Sequence, residues 1–135
     1  MALRYLLDTN TVSYAIQGYS NPLRARLDLE PNAQMALSAF TQAELIYGLA
    51  RKPQAKKLRT AVERFLRDFL ILPWDSAAAA AYGDLRAAQE RKGRRLSHED
   101  LMIAAHALAR GLTLVTHDNA FAFVDGLKTE DWTVA

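Results

Sequence analysis

Cysteine is absent from the 135 residues of this chain, so neither a disulfide framework nor a thiolate metal site can form. Any metal ion must therefore be held by oxygen or imidazole ligands. The histidines at 98, 106 and 117 lack the four-residue spacing of a helical zinc site, and no glycine-rich phosphate loop is present. These absences leave carboxylates as the principal candidates for metal binding.

Long hydrophobic runs are missing as well. The longest strongly apolar stretch, residues 101–109, is interrupted by His106 and is too short to span a bilayer. The first residues lack the length and the cleavage pattern of a signal peptide. Half of the residues are hydrophobic, which is enough for a sizeable core in a chain of this length. We therefore expect a single cytoplasmic domain over residues 1–135, without membrane association.

The net charge of +2 does not by itself indicate a nucleic-acid partner. Basic residues nevertheless cluster at 51–59 and at 91–95. Such clusters are often only solvated helix faces. If a metal ion neutralised several of the acidic residues, however, the remaining surface would be distinctly basic. Lys92, Arg94 and Arg95 are then candidates for contacts with a phosphate backbone.

Short apolar segments alternate with amphipathic stretches along the whole chain. The apolar segments predict strands at 4–7, 35–38, 69–72 and 112–116, with an edge strand at 132–134. The helical periodicity predicts helices at 11–17, 23–30, from 41 to the break at Pro53, 54–68, 77–91 and from 97 to 109. This alternation favours an α/β fold of three layers, α/β/α, around a mostly parallel sheet of four to five strands.

Three of the predicted helix starts carry capping signals. Residues 9–11 are candidate caps directly after the first strand. Thr41 to Glu44 and Ser97 to Asp100 both have the capping-box pattern, which places Glu44 and Asp100 in the first turns of their helices. An acid in a first turn is also a common structural device, because helix N-termini favour negative charge.

Four carboxylates stand at strand ends or helix starts in this scheme: Asp8, Glu44, Asp100 and Asp118. Parallel sheets gather these positions along one edge, where ligands bind in open α/β folds. Carboxylates in one cleft raise each other's pKa unless a cation neutralises them. Hard cations such as Mg²⁺ or Mn²⁺ take oxygen ligands and commonly bind phosphates. The pattern therefore indicates metal-assisted phosphoryl transfer.

Five segments of the sequence, in this order and spacing, resemble the PIN-domain ribonucleases, and within them the VapC-type toxins of bacterial toxin–antitoxin pairs. The segments are residues 5–10, 44–49, 74–75 with 81–83, 100–107 and 114–118. The resemblance spans nearly the whole chain. It implies a Mg²⁺- or Mn²⁺-dependent endoribonuclease whose metal-binding acids correspond to Asp8, Glu44, Asp100 and Asp118.

The resemblance also implies further residues and partners. Thr116 matches a hydroxyl residue often found beside these acids. From their place directly after Asp8, Thr9, Asn10 and Thr11 are also candidates for the polar floor of a metal and phosphate site. Many relatives carry asparagine at the fourth acid, and here Asp118 precedes Asn119, so either side chain is a candidate to face the site. The implied partners are structured RNA such as tRNA or rRNA, a second copy of the chain in a homodimer, and a small antitoxin whose C-terminal segment occupies the active-site groove of a hetero-oligomer.

Two other functions remain open from the residues alone. The chain is a regulatory module that binds RNA or protein without catalysis if its acids serve only as helix caps. Alternatively, Asp8 is the covalent nucleophile of a phosphatase. Such phosphatases usually have a second acid two residues later, where this chain has Asn10.

Overall fold

The computed structural model describes residues 2–134, which form five strands, six α-helices and two short 3₁₀ helices. The strands are β1 (Tyr5–Leu7), β2 (Met35–Ser38), β3 (Leu70–Leu72), β4 (Thr113–Val115) and β5 (Thr129–Glu130). The α-helices are α1 (Thr9–Gln17), α2 (Asn21–Leu29), α3 (Ala39–Ala50), α4 (Lys56–Asp68), α5 (Ser76–Arg91) and α6 (His98–Arg110). The 3₁₀ helices are Asn32–Gln34 and Asn119–Phe123.

The five strands form one sheet in the order β3-β2-β1-β4-β5, and every neighbouring pair is parallel. Strand β1 is central, with Leu7 paired to Leu37 on one side and to Val115 on the other. The predicted parallel sheet is therefore confirmed. Because β1 and β4 are neighbours, the residues that follow them, Asp8 and Thr116, emerge side by side at the same edge.

The sheet separates two hydrophobic cores. Leu6 packs in a core with residues of α5 and α6, such as Leu85 and Ile103. Its neighbours Tyr5 and Leu7 point to the opposite face and pack in a core with residues of α1 to α4. This alternation along one strand produces the predicted α/β/α layers. No helix within residues 2–134 combines the length and the apolar composition needed to cross a membrane.

The helix caps differ from the predicted ones at two of the three starts. Helix α1 begins at Thr9, because the Asp8 side chain is itself the N-cap. Helix α3 begins at Ala39, with the Ser38 hydroxyl accepting from the Phe40 amide at 3.0 Å, so the capping box predicted at Thr41 is wrong. Both helices follow their strands without a loop, which makes the last polar residue of the strand region the cap. The cap predicted at Ser97 is confirmed.

The edge strand predicted at 132–134 is also wrong. The fifth strand is Thr129–Glu130, and the chain then turns, with the Thr133 amide bonded to the Asp131 side chain at 2.9 Å instead of to β4. Trp132 is buried and packs edge-on against Tyr5, with ring centroids 4.9 Å apart. Burial of this indole, together with the local bond at Asp131, ends the strand early.

Replacing Trp132 by alanine should lower the free energy of unfolding by about 3–5 kcal/mol, because it removes a large buried ring from the second core. Urea denaturation followed by far-UV circular dichroism measures this change. Val134→Ala is the matched control, since Val134 is exposed, and its effect should stay within about 0.5 kcal/mol. Equal effects of both substitutions would contradict the packing described for the C-terminal turn.

Candidate active site

Asp8 lies where the central strand β1 ends, and two backbone contacts fix its position. Its amide donates to the carbonyl of Val115 on β4 at 3.0 Å, which continues the sheet by one residue. Its carboxylate accepts from the Thr11 amide at 2.7 Å and so caps α1. The side chain is almost completely buried, with 5% of its surface exposed. The fold therefore holds this carboxylate in one orientation at the edge of the sheet.

Glu44 reaches the same edge from the second turn of α3, not from its first. The Thr9 hydroxyl donates to a carboxylate oxygen of Glu44 at 2.5 Å, and it also contacts the hydroxyl of buried Thr41 at 3.0 Å. The three-residue spacing of Thr41 and Glu44 thus reflects a shared helix face, not a capping box. The sequence made Thr9 a candidate for the polar floor of the site but did not reveal its partners, which are more than 30 residues away.

Asp100 stands in the first turn of α6, with its amide donating to the hydroxyl of the cap residue Ser97 at 3.1 Å. It lines a small cleft of about 70 Å³ together with Asp8 and Glu44. The same cleft is lined by Thr9, Asn10, Glu99, Ile103 and Phe121. Glu99 is a further acid in the cleft that was not among the four predicted metal-binding residues. Only its position beside Asp100 in the sequence would have indicated it.

Asp118 approaches from the segment after β4. Its carboxylate accepts from the Ala120 amide at 2.9 Å and caps the 3₁₀ helix, while its own amide donates to the Thr116 hydroxyl at 3.1 Å. Thr116 is buried and therefore supports Asp118 from beneath. The charge of Asp118 acts on Asp100, as described below, whereas Asn119 is exposed. Asp118 therefore lies near Asp100, although it is not among the residues that line the cleft.

The electrostatics of the cleft are those of crowded, partly buried acids. Burial raises the pKa of Glu44, and the charges of Glu99, Asp100 and Asp8 add to this rise, while the bond from Thr9 opposes it. Burial also raises the pKa of Asp100, and Asp118 is the strongest of the charged neighbours that add to the rise. Both acids therefore lack a compensating positive charge in the protein itself.

The donor set of the cleft fits a hard divalent cation. Within residues 2–134, no group of three or more histidine, aspartate or glutamate side chains is arranged, as it stands, to hold a metal ion. The cleft nevertheless presents oxygen donors, and a divalent cation would offset both the burial and the mutual repulsion that raise the pKa of Glu44 and Asp100.

A buried polar pair links the helices that carry Glu44 and Asp100. The Nδ1 atom of His106, on α6, lies 2.8 Å from the hydroxyl of Ser38, the cap of α3. Both side chains are fully buried, and burial lowers the pKa of His106. His106 is therefore a packed residue that aligns α3 with α6.

The basic residues that follow α5 make two kinds of contact in the structure. Lys92 pairs with Asp125, and the Arg94 guanidinium donates to the Phe123 carbonyl at 2.6 Å, so both fasten the segment that follows Asp118. Arg95 instead lines a groove of about 550 Å³ with Arg86, Arg94 and His98. We call it the basic groove. It shares the first turn of α6 with the acidic cleft.

Comparison with known protein families identifies the family of this chain. The PIN domain family matches residues 5–127. The chain therefore belongs to the PIN-domain family, whose nucleases are metal-dependent as a class.

Relatives narrow the assignment to VapC-type ribonucleases. The tRNA(fMet)-specific endonuclease VapC of Shigella flexneri is 37% identical over 97% of this chain and 99% of its own length. VapBC of Salmonella typhimurium, solved bound to DNA, has a TM-score of 0.90 and 36% identity over 96% of this chain and 98% of that chain. VapBC-5 of Mycobacterium tuberculosis, from the VapBC family of toxin-antitoxin systems, has a TM-score of 0.68 and 30% identity over 96% of this chain and 95% of that chain.

Asp100→Asn should stabilise the metal-free protein at neutral pH, by no more than about 1 kcal/mol because the side chain is partly solvated. A raised pKa means that the folded state keeps a proton which the unfolded state has lost, so the stability of the parent falls as pH rises through that pKa. In the Asp100→Asn variant, the decrease in stability that titration of Asp100 causes should be absent. Melting temperatures between acid and neutral pH, with and without Mg²⁺, measure both effects.

In the parent, Mg²⁺ should raise the melting temperature, and more so at higher pH, because protons compete with the metal for the acids. Asp100→Asn should abolish most of this increase. Asp84→Asn, an exposed acid on α5, is the control and should respond to Mg²⁺ as the parent does. An unchanged Mg²⁺ response in Asp100→Asn would show that Asp100 does not hold the metal.

Proposed function

We propose that this chain, acting as one PIN-like domain over residues 1–135, is the toxin of a toxin–antitoxin pair and hydrolyses RNA phosphodiester bonds at the cleft between β1, α3 and α6. The observation that carries the proposal is the crowding of partly buried carboxylates in that cleft. Such a set of oxygen donors suits a hard divalent cation, and a cation of this kind assists hydrolysis of phosphodiester bonds.

The four acids have distinct roles in this proposal. Asp8 and Asp100 hold Mg²⁺ or Mn²⁺ most directly. Glu44, oriented by Thr9, holds the ion or positions the attacking water, and Asp118 completes the cluster. When bound, the cation supplies activation of water and neutralises charge on the departing oxygen. The carboxylates of Asp8, Glu44 and Asp118 each accept a hydrogen bond from a backbone amide or a hydroxyl, and Asp100 is held at the start of α6 through its backbone amide, so the protein restricts all four acids at this edge of the sheet.

Two polar side chains complete the floor of the site. Asn10 lines the cleft beside Asp8 and is exposed, so it is placed to contact a phosphate or ribose of the substrate. Thr116 is buried under Asp118 and acts through that carboxylate. We therefore assign Asn10 to substrate binding, and we assign Thr116 to positioning of Asp118.

The substrate that we propose is structured RNA, with transfer RNA favoured because the Shigella relative is named for cleavage of tRNA(fMet). The basic groove supplies the phosphate contacts, chiefly through Arg95 and Arg86. The proposed partners are a small antitoxin and a second copy of the chain, since toxin and antitoxin are found together in the solved VapBC relatives. A substrate of this kind places the activity in the cytoplasm.

The two alternatives explain fewer observations. A binding module without catalysis does not need Glu44, which caps no helix and yet lies among the acids. A phosphatase nucleophile at Asp8 does not account for Glu44 and Asp100 in the same cleft, and it lacks the second acid two residues later, where the chain has Asn10.

Asp8→Asn and Asp100→Asn should each lower the rate of RNA cleavage in Mg²⁺ by more than about 100-fold, because each removes a charged metal ligand. Asparagine keeps the N-cap at position 8, so the first variant should still fold. Single-turnover cleavage of transfer RNA, with circular dichroism as the folding check, measures this effect.

Asp84→Asn is again the matched control, and excess chelator should abolish cleavage by the parent. A folded Asp8→Asn variant that cleaves as fast as the parent would refute the proposed mechanism. Cleavage that persists in chelator would refute its metal dependence.

Arg95→Ala should weaken RNA binding and reduce the slope of log affinity against log salt by about 1, as expected for one lost phosphate contact. Arg94→Ala should instead lower thermal stability, because Arg94 bonds the Phe123 carbonyl. Filter binding at several salt concentrations, together with melting curves, separates the two roles. The assignment of Arg95 fails if its substitution leaves the salt slope unchanged.

A further inference from the structure

Three aromatic rings form a continuous arrangement beside the acidic cleft, which we call the aromatic stack: Tyr19, Tyr14 and His117. The rings of Tyr14 and His117 are 4.4 Å apart with an interplanar angle of 34°. Tyr19 meets Tyr14 edge-on, with centroids 5.6 Å apart. Gly18 adopts a left-handed conformation that ends α1, and the Tyr19 amide then returns to the Tyr14 carbonyl at 3.2 Å. This turn places the Tyr19 ring against Tyr14.

The position of the stack connects it to the site. Tyr14 lies one helical turn after Asn10 on the same face of α1, and Asn10 lines the cleft. His117 stands between Thr116 and Asp118, at the end of β4. Tyr14 and His117 are therefore both close in the chain to residues of the site. From there the stack extends toward solvent.

A purely structural role explains the stack poorly. Tyr14 is 36% exposed and Tyr19 is 67% exposed, so neither ring fills a core. The Nδ1 atom of His117 is buried without a hydrogen-bond partner among residues 2–134, and the face of its ring packs against Tyr14. Large exposed aromatic rings next to a binding site are characteristic of ligand contact.

We propose that the aromatic stack binds an unpaired base of the RNA substrate, next to the phosphodiester bond that the cleft receives. This inference rests on the proposed function. Base stacking on aromatic side chains is the usual means by which proteins hold single-stranded RNA. The stack thus selects a bond in a loop or other unpaired segment over a bond in a duplex.

The charges around the cleft favour a base contact here over a backbone contact. The cleft is lined by acids, which repel every phosphate except the one that a cation bridges. The basic groove can hold phosphates on the α6 side, and Arg51 and Lys52, which line a separate groove with Thr9 and Glu44, can hold them on the α3 side. The aromatic stack consists of rings alone, so beside these phosphate sites it offers an uncharged surface on which a base can stack.

The test uses the Asp8→Asn background, which keeps the helix cap but prevents cleavage during binding measurements. The probes are an RNA hairpin with a single-stranded loop, carrying 2-aminopurine in that loop, and a fully paired RNA duplex of the same length. The variants are Tyr14→Leu, Tyr19→Leu and the double substitution, with Tyr14→Phe and Tyr19→Phe as rescues. Tyr47→Leu, a similarly exposed tyrosine on α3, is the matched control.

The double leucine variant should bind the hairpin about 10-fold more weakly and quench 2-aminopurine less. The phenylalanine variants and Tyr47→Leu should match the Asp8→Asn background, and duplex affinity should not change. Equal hairpin affinity in the leucine variants would overturn the inference, as would an equal loss for the duplex. A change in oligomeric state without a change in hairpin affinity would also overturn it, because the stack would then be a protein interface.

Cleavage of transfer RNA by proteins that retain Asp8 separates this inference from the proposed function. If the parent does not cleave, the proposed function fails. If the parent cleaves and the double leucine variant has the same KM, only the aromatic stack inference fails. The expected result is a raised KM with little change in kcat, since stacking holds the substrate before and during the reaction.

Discussion

Crowding of like charges at one edge of a parallel sheet is the constraint on which the rest of this structure depends. Because β1 and β4 are neighbours, Asp8 and the segment that carries Asp118 leave the sheet together, and α3 and α6 bring Glu44 and Asp100 to the same place. Burial and mutual repulsion raise the pKa of the two helix-borne acids. The fold tolerates this local destabilisation at the site, as proteins commonly do where function requires it.

The residues around the acids are arranged to hold them in spite of this repulsion. Thr9 bonds Glu44, while backbone amides bond the carboxylates of Asp8 and Asp118. The buried contact of Ser38 with His106 ties together the two helices that carry Glu44 and Asp100. These contacts restrict the carboxylates of Asp8, Glu44 and Asp118 at this edge of the sheet.

The surface around the cleft is divided by charge, although the net charge of the chain is small. Lys92 and Arg94 fasten the segment after Asp118, whereas Arg95 lines the basic groove. On the other side, Arg51 and Lys52 line a second groove with Thr9 and Glu44, and the exposed rings of Tyr14 and Tyr19 lie beyond Asn10 in the chain. Basic and aromatic side chains thus occupy different parts of the surface around the cleft.

The sequence by itself determined the order of strands and helices, the parallel sheet and the positions of Asp8 and Asp100 at a strand end and a helix start, because these follow from local periodicity and capping. It placed Glu44 one turn too close to the start of its helix, because α3 begins at Ala39. It failed at Thr41 and at Trp132, where packing overrode the local pattern. Only the tertiary structure decided that Thr9 supports Glu44 and that Tyr14 meets His117. Such contacts join residues far apart in the chain, and no local pattern records which distant side chains the sheet will bring together.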